Sequence, residues 1–98
     1  MNGKKILITG SDGVLGSNLV KEFSNAIGFS KKDLDVTNLF QIQEVIDRIK
    51  PDIIIHCAAL TDVEYCENEI DKTFEVNTIG TQNIAKYCID KNILFIFI

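Results

Sequence analysis

Seven residues near the N-terminus, Gly10-Ser11-Asp12-Gly13-Val14-Leu15-Gly16, limit what this chain can fold into more than any others. They stand between a short apolar run, Lys4-Lys5-Ile6-Leu7-Ile8-Thr9, and a stretch from Val14 to Ser24 with Leu15, Leu19, Val20 and Phe23 at helical spacing. An apolar run that ends in glycine reads as a buried parallel strand. Gly10 lets the backbone turn sharply out of that strand, and Gly16 lets the helix lie close to the sheet. Gly13 leaves the backbone bare where a ligand must approach. The free N–H groups and the positive helix end then face an anion. The bland alternative is an ordinary βα turn with convenient glycines.

The rest of the chain continues the alternation. Ala26-Ile27-Gly28-Phe29 is a second strand and Asp33-Leu34-Asp35-Val36 a short third. Asn38 caps the next helix, with Gln41 placed to complete a capping box. Leu39, Ile42, Val45, Ile46 and Ile49 share one face of it, and Pro51 stops it. Ile53-Ile54-Ile55 is a fourth strand, ending at His56-Cys57-Ala58-Ala59. A polar loop to about Ile70 leads into a long helix carrying Phe74, Val76, Ile79, Ile84, Ala85 and Cys88. Ile93 to Ile98 is a fifth strand without a polar residue. Strands alternating with helices predict an α/β fold, a doubly wound parallel sheet covered on both faces.

With 98 residues the chain is at most one domain. A net charge of −4 argues against a nucleic-acid binder, which needs a basic stripe. No apolar run approaches the ~20 residues of a membrane span, and the apolar stretch after the polar Met1 to Lys5 is too short for a signal peptide. Cys57, Cys66 and Cys88 form no C-x-x-C pair, and the single histidine, His56, completes no zinc set. Reduced thiols in a cytoplasmic protein without a metal are the expectation.

A glycine turn opening the first helix of such a sheet is suited to the pyrophosphate of NAD or NADP. Its G-x-x-G-x-x-G spacing departs from the commoner G-x-G-x-x-G. About 20 positions on, where an acidic residue would bind the ribose hydroxyls of NAD, stand Ser30, Lys31 and Lys32. A hydroxyl and two cations suit a 2′-phosphate, which leans the expectation to NADP. Asp33 remains within reach of a ribose, so NAD stays open, and a solvated basic turn is the plain alternative.

Four segments carry a family resemblance. Ile8 to Gly16 resembles the glycine signature of the extended short-chain dehydrogenase/reductase superfamily. Asp33-Leu34-Asp35-Val36-Thr37-Asn38 resembles its segment over the adenine. Lys50 to Glu67, with Ala58-Ala59-Leu60-Thr61-Asp62-Val63-Glu64-Tyr65-Cys66-Glu67, is similar to the dTDP-4-dehydrorhamnose reductase branch. Phe74-Glu75-Val76-Asn77-Thr78-Ile79-Gly80-Thr81 matches the helix that follows. The resemblance implies a Rossmann-like sheet in which Ser11, Asp12, Val14 and Leu15 lie along the pyrophosphate. It implies that Asp35 and Val36 flank the adenine, and that Cys57, Ala58 and Ala59 pass under the cofactor ribose. Thr61 and Val63 would edge the nicotinamide and sugar, with Asn77 bracing the sheet near the substrate. Each has a plainer reading: tight packing for the alanines, a cap for Thr61, a satisfied polar group for Asn77. His56 reads as a packed strand-end residue rather than an acid or base. The acidic stretch of Asp62, Glu64, Glu67 and Glu69 reads as a solvated loop.

The implied activity is NAD(P)-dependent reduction of a nucleotide-linked 4-keto sugar in deoxysugar synthesis. That chemistry needs a Tyr-x-x-x-Lys pair after the fifth strand, where the tyrosine moves the proton and the lysine lowers its pKa. Tyr87-Cys88-Ile89-Asp90-Lys91 fits the spacing but precedes that strand, as a helix end with Lys91 suited to the dipole. No catalytic residue is therefore assigned. The resemblance implies a Rossmann sheet truncated after its fifth strand, with the substrate lobe absent. A nucleotide-sugar epimerase or dehydratase is the nearest alternative. From another class come a non-catalytic regulator, like the regulatory subunit of methionine adenosyltransferase, and a homodimer joined through the last strand.

Overall fold

Ile6, Leu7 and Ile8 lose essentially all contact with solvent, because their strand is flanked on both edges and covered on both faces. The computed structural model describes residues 3–57 and 70–98. In chain order these form β1 (Ile6–Thr9), α1 (Val14–Glu22), β2 (Ala26–Phe29), α2 (Leu39–Ile49), β3 (Ile53–His56), α3 (Ile70–Lys91) and β4 (Leu94–Phe97). The sheet order is β2-β1-β3-β4 and every described pairing is parallel. From β1 the chain runs outward to β2, then crosses back over β1 to β3. The winding direction therefore reverses at β1, where doubly wound sheets open a crevice at their carboxyl edge.

Alternate strand residues face opposite layers. Ile6, Ile8, Ile53 and Ile55 pack under α1, against Leu19, Val20 and Phe23. Leu7 and Ile54 pack under α2 and α3, with Ile42, Val45, Ile46, Ile49, Ile84 and Cys88. The four apolar α2 residues recur at helical spacing, and burying each is worth about 1.5–3 kcal/mol. Burial also pushes the Cys88 thiol up to about 11.

Asn38 caps α2 as expected, its side chain accepting from the Gln41 N–H. The capping box is only half made: the Gln41 side chain takes the Asp35 N–H, and the Asn38 N–H bonds the Asp35 carbonyl. At the other end Lys50 turns left-handed (φ 54°) before Pro51, while Lys5 Nζ donates to the Ile49 carbonyl at 2.9 Å.

Residues 33–36 are not a strand. Leu34 is buried in the α2–α3 core, which mimics strand alternation, but Asp35 Oδ1 accepts from the Thr37 N–H and hydroxyl and bends the chain. The sheet thus has four described strands where the sequence suggested five. α1 stops at Glu22 rather than Ser24, because Phe23 is already extended, and β4 is shorter than Ile93 to Ile98.

Candidate nucleotide-binding site

The carboxyl ends of β1, β2 and β3 meet at one edge of the sheet. Gly10 leaves β1 with φ 67°, a conformation that favours glycine. The turn is tied to both neighbouring strands: the Ser11 N–H bonds the Phe29 carbonyl, and the Cys57 N–H bonds the Thr9 carbonyl and hydroxyl. Gly28 in β2 sits directly behind the turn. A Cβ there would lie 2.6 Å from the Ser11 Cβ and 2.9 Å from Val20.

The two remaining glycines of the turn differ in kind. At Gly16 a Cβ would lie 2.0 Å from the Gly10 carbonyl oxygen, so close helix–strand packing alone demands glycine. At Gly13 the backbone (φ −81°, ψ 170°) suits any residue, and a Cβ would meet only the Gly10 oxygen at 3.4 Å. Among the described residues no contact asks for glycine at 13. Gly13 is also the N-cap of α1 and supplies no side-chain cap, and the first turn of α1 has no acidic residue. Val14 is 84% exposed and Leu15 half so. The end of α1 therefore presents free N–H groups and a positive dipole end to the crevice. A pyrophosphate fits this cradle.

Thr9 and His56 are buried register partners on β1 and β3, with Thr9 Oγ1 2.7 Å from His56 Nδ1. The His56 ring stacks on Phe97, centroids 5.5 Å apart. Burial pulls the His56 pKa down to about 4, so it is neutral at physiological pH. It packs as the sequence suggested. Cys57, half-buried at the end of β3, has its thiol pushed up by burial and is a poor nucleophile at neutral pH.

After β2, Lys31 and Lys32 are exposed. The Asp33 carboxylate accepts from the Ser30 N–H and hydroxyl, both at 3.0 Å, and the backbone bond foremost holds its pKa below the usual value. Sequence spacing gave the serine, the lysines and Asp33, but not the bonds that tie the Asp33 carboxylate back to Ser30. Asp35 and Val36 lie in the bend before α2, and Asn77 is half-buried in α3. Ala58, Ala59, Thr61 and Val63 lie outside the described residues.

Tyr87 and Lys91 do not serve this edge. Tyr87 donates to Asp47 at 2.8 Å and Lys91 Nζ stands 3.7 Å from the same carboxylate, so both tie α3 to α2. Loss of hydration and then Asp47 raise the Tyr87 pKa, the opposite of what a proton-transferring tyrosine needs. Among the described residues no group of three or more His, Cys, Asp or Glu side chains can hold a metal ion. No described helix is long and apolar enough to cross a membrane.

The RmlD substrate binding domain matches residues 4–98. The chain belongs to this family. Among its curated relatives is a GDP-6-deoxy-D-talose 4-dehydrogenase of Aggregatibacter actinomycetemcomitans, 38% identical over 91% of the chain and 32% of the relative. A dTDP-4-dehydrorhamnose reductase of the same organism is 37% identical over 90% of the chain and 32% of the relative. Among solved structures, the Bacillus anthracis dTDP-4-dehydrorhamnose reductase in complex with NADP superposes with a TM-score of 0.83 at 38% identity, over 94% of this chain and 34% of that one. The chain spans about a third of the length of these relatives. The four-stranded parallel sheet is the family's Rossmann-like fold.

Proposed function

We propose that this chain is the cofactor-binding part of a cytoplasmic, NADP-dependent reductase of a nucleotide-linked 4-keto sugar, in the extended short-chain dehydrogenase/reductase superfamily. The observation that carries the reading is Gly13, a glycine that no contact among the described residues requires, at the start of α1 where no side chain caps it. A bare backbone at that point serves something that comes from outside. The family match and the NADP complex of the Bacillus anthracis relative support NADP as that ligand.

In this reading Gly10 to Gly16 hold the pyrophosphate by backbone N–H groups and the α1 dipole. Asp35 and Val36 flank the adenine, Cys57, Ala58 and Ala59 run beneath the ribose, and Thr61 edges the nicotinamide. Val63 and Asn77 stand toward the sugar. Bound NADPH would supply the hydride, and this chain's residues orient it. Among the described residues no tyrosine is placed to move the proton, since Tyr87 is bound to Asp47, and their part is to hold and orient the cofactor. Nucleotide sugar, rather than nucleic acid or membrane, is the partner. The relatives' names leave both dTDP and GDP as its nucleotide.

Ser30, Lys31 and Asp33 decide between NADP and NAD. Two cations attract a 2′-phosphate, while the ionised Asp33 repels it and occupies the Ser30 hydroxyl. Titration with NADPH and NADH tests the reading. NADPH is expected to bind tighter, Lys31→Ala with Lys32→Ala to abolish that preference, and Asp33→Asn to enlarge it. NADH binding tighter than NADPH in the unaltered chain would refute the NADP assignment.

A further inference from the structure

The bend at residues 35–38 is shaped locally and placed from afar. Its shape comes from neighbours: Asp35 Oδ1 accepts from the Thr37 N–H at 3.0 Å and the Thr37 hydroxyl at 2.6 Å, and Gln41 Oε1 takes the Asp35 N–H at 3.0 Å. Leu34, buried in the core, and Gln41 at the start of α2 anchor the two ends of the bend. Two contacts from α3 fix Val36 between them. Asn83 Nδ2 donates to the Val36 carbonyl at 3.2 Å in a half-buried setting. Gly80 lies one helical turn earlier on the same face, and a Cβ there would lie 2.4 Å from Val36 Cγ2. Val36 is thus pulled by its carbonyl and admitted by a missing side chain at the same spot.

We infer that Asn83 and Gly80 are positioning residues that set the height of Val36, and so the depth of the adenine pocket. The inference rests on the cofactor-binding reading above. Neither residue needs to touch the nucleotide. Asn83 acts through the carbonyl it holds, and Gly80 through the space it leaves. A hydrogen bond to a half-buried carbonyl is a modest interaction, so the expected effect is about tenfold in affinity.

The test is binding of 2′,5′-ADP, the adenine half of the cofactor, to the 98-residue chain and to Asn83→Leu, with amide exchange read alongside. Asn83→Leu is expected to bind 2′,5′-ADP about tenfold more weakly, with faster exchange at Thr37 and Asn38 and unchanged protection in β1 and β3. Gly80→Ala, which crowds Val36 instead of releasing it, is expected to act in the same direction. If leucine unfolds the chain, Asn83→Ser, too short to reach the carbonyl, takes its place. A folded Asn83 variant that binds 2′,5′-ADP within twofold of the parent overturns the inference and leaves the cofactor reading standing. Protection lost across the whole sheet also overturns it, because Asn83 then serves the fold and not the bend. No binding of 2′,5′-ADP by the folded parent chain overturns both readings.

Discussion

Gly13→Ala separates what the fold needs from what the ligand needs. The added methyl meets only the Gly10 carbonyl oxygen, at an ordinary contact of 3.4 Å, and the backbone at 13 is already extended. Alanine is a poorer N-cap than glycine by up to about 1 kcal/mol. Against that, replacing glycine restricts the unfolded chain and returns about 0.4–1 kcal/mol. The two nearly cancel, so stability should move by less than about 1 kcal/mol. Binding has no such compensation. In the proposed reading the methyl stands where the phosphate comes within hydrogen-bond distance of the α1 amides, and each bond to a charged group is worth about 1.5–3 kcal/mol. Losing one or two of them weakens NADPH binding by roughly ten- to a hundredfold or more. Urea unfolding and NADPH fluorescence titration, run on the same preparation, read the two quantities. Gly16→Ala is the contrast: its Cβ would fall 2.0 Å from the Gly10 oxygen, an overlap that costs about 1–3 kcal/mol or more and lowers stability first. A Gly13→Ala chain that binds NADPH like the parent would show that the cofactor does not approach the backbone at 13. One that loses binding only because it unfolds would show that the fold itself needs glycine there.

Other expectations follow from the same contacts. Gly28→Ala pushes on Ser11 from behind, where the space is 2.6 Å, and should weaken NADPH binding with a stability loss of about 1–3 kcal/mol, checked by the same pair of assays. Asn38→Ala removes the α2 cap and should cost about 1 kcal/mol in urea unfolding, with cofactor affinity little changed. His56 is neutral when folded, with a pKa of about 4 against 6.5 when unfolded, so the unfolded chain binds more protons between those values. Its contribution is therefore complete above pH 6.5 and is lost as pH falls toward 4, by up to about 1.4 kcal/mol per pH unit. Unfolding midpoints at pH 7.5, 6.5 and 5.5 should fall accordingly, and His56→Gln should flatten the decline. Asp33, whose pKa is lowered from 3.8, titrates below that window.

What the sequence revealed, it revealed through local signals. Ile6-Leu7-Ile8 and Ile53-Ile54-Ile55 are unbroken apolar runs, so their burial in a parallel sheet could be read directly. Asn38 and Pro51 bracket α2 by short-range chemistry that tertiary packing did not override. Residues 33–36 misled because Leu34 is buried between polar neighbours, which imitates strand periodicity, while the bend is made by Asp35 and Thr37 side chains. At the site, the glycine spacing and the different reasons for Gly13 and Gly16 were legible, but the distances behind them, 3.4 Å and 2.0 Å to the same oxygen, depend on where the Gly10 carbonyl points. The Ser30–Asp33 bond, the Asn83 bond to Val36 and the link from Tyr87 to Asp47 are side-chain geometry, the last two across 40 or more residues. No periodicity encodes them.

Whether the start of α1 holds the cofactor's pyrophosphate can be read from amide chemical shifts in the isotope-labelled chain, recorded while NADPH is added. Pyrophosphate bound there gives saturable shifts largest at the Ser11 to Gly16 amides, with smaller ones at Ser30, Asp35 and Val36. Saturable binding that leaves the Ser11 to Gly16 amides unmoved would contradict binding at that turn.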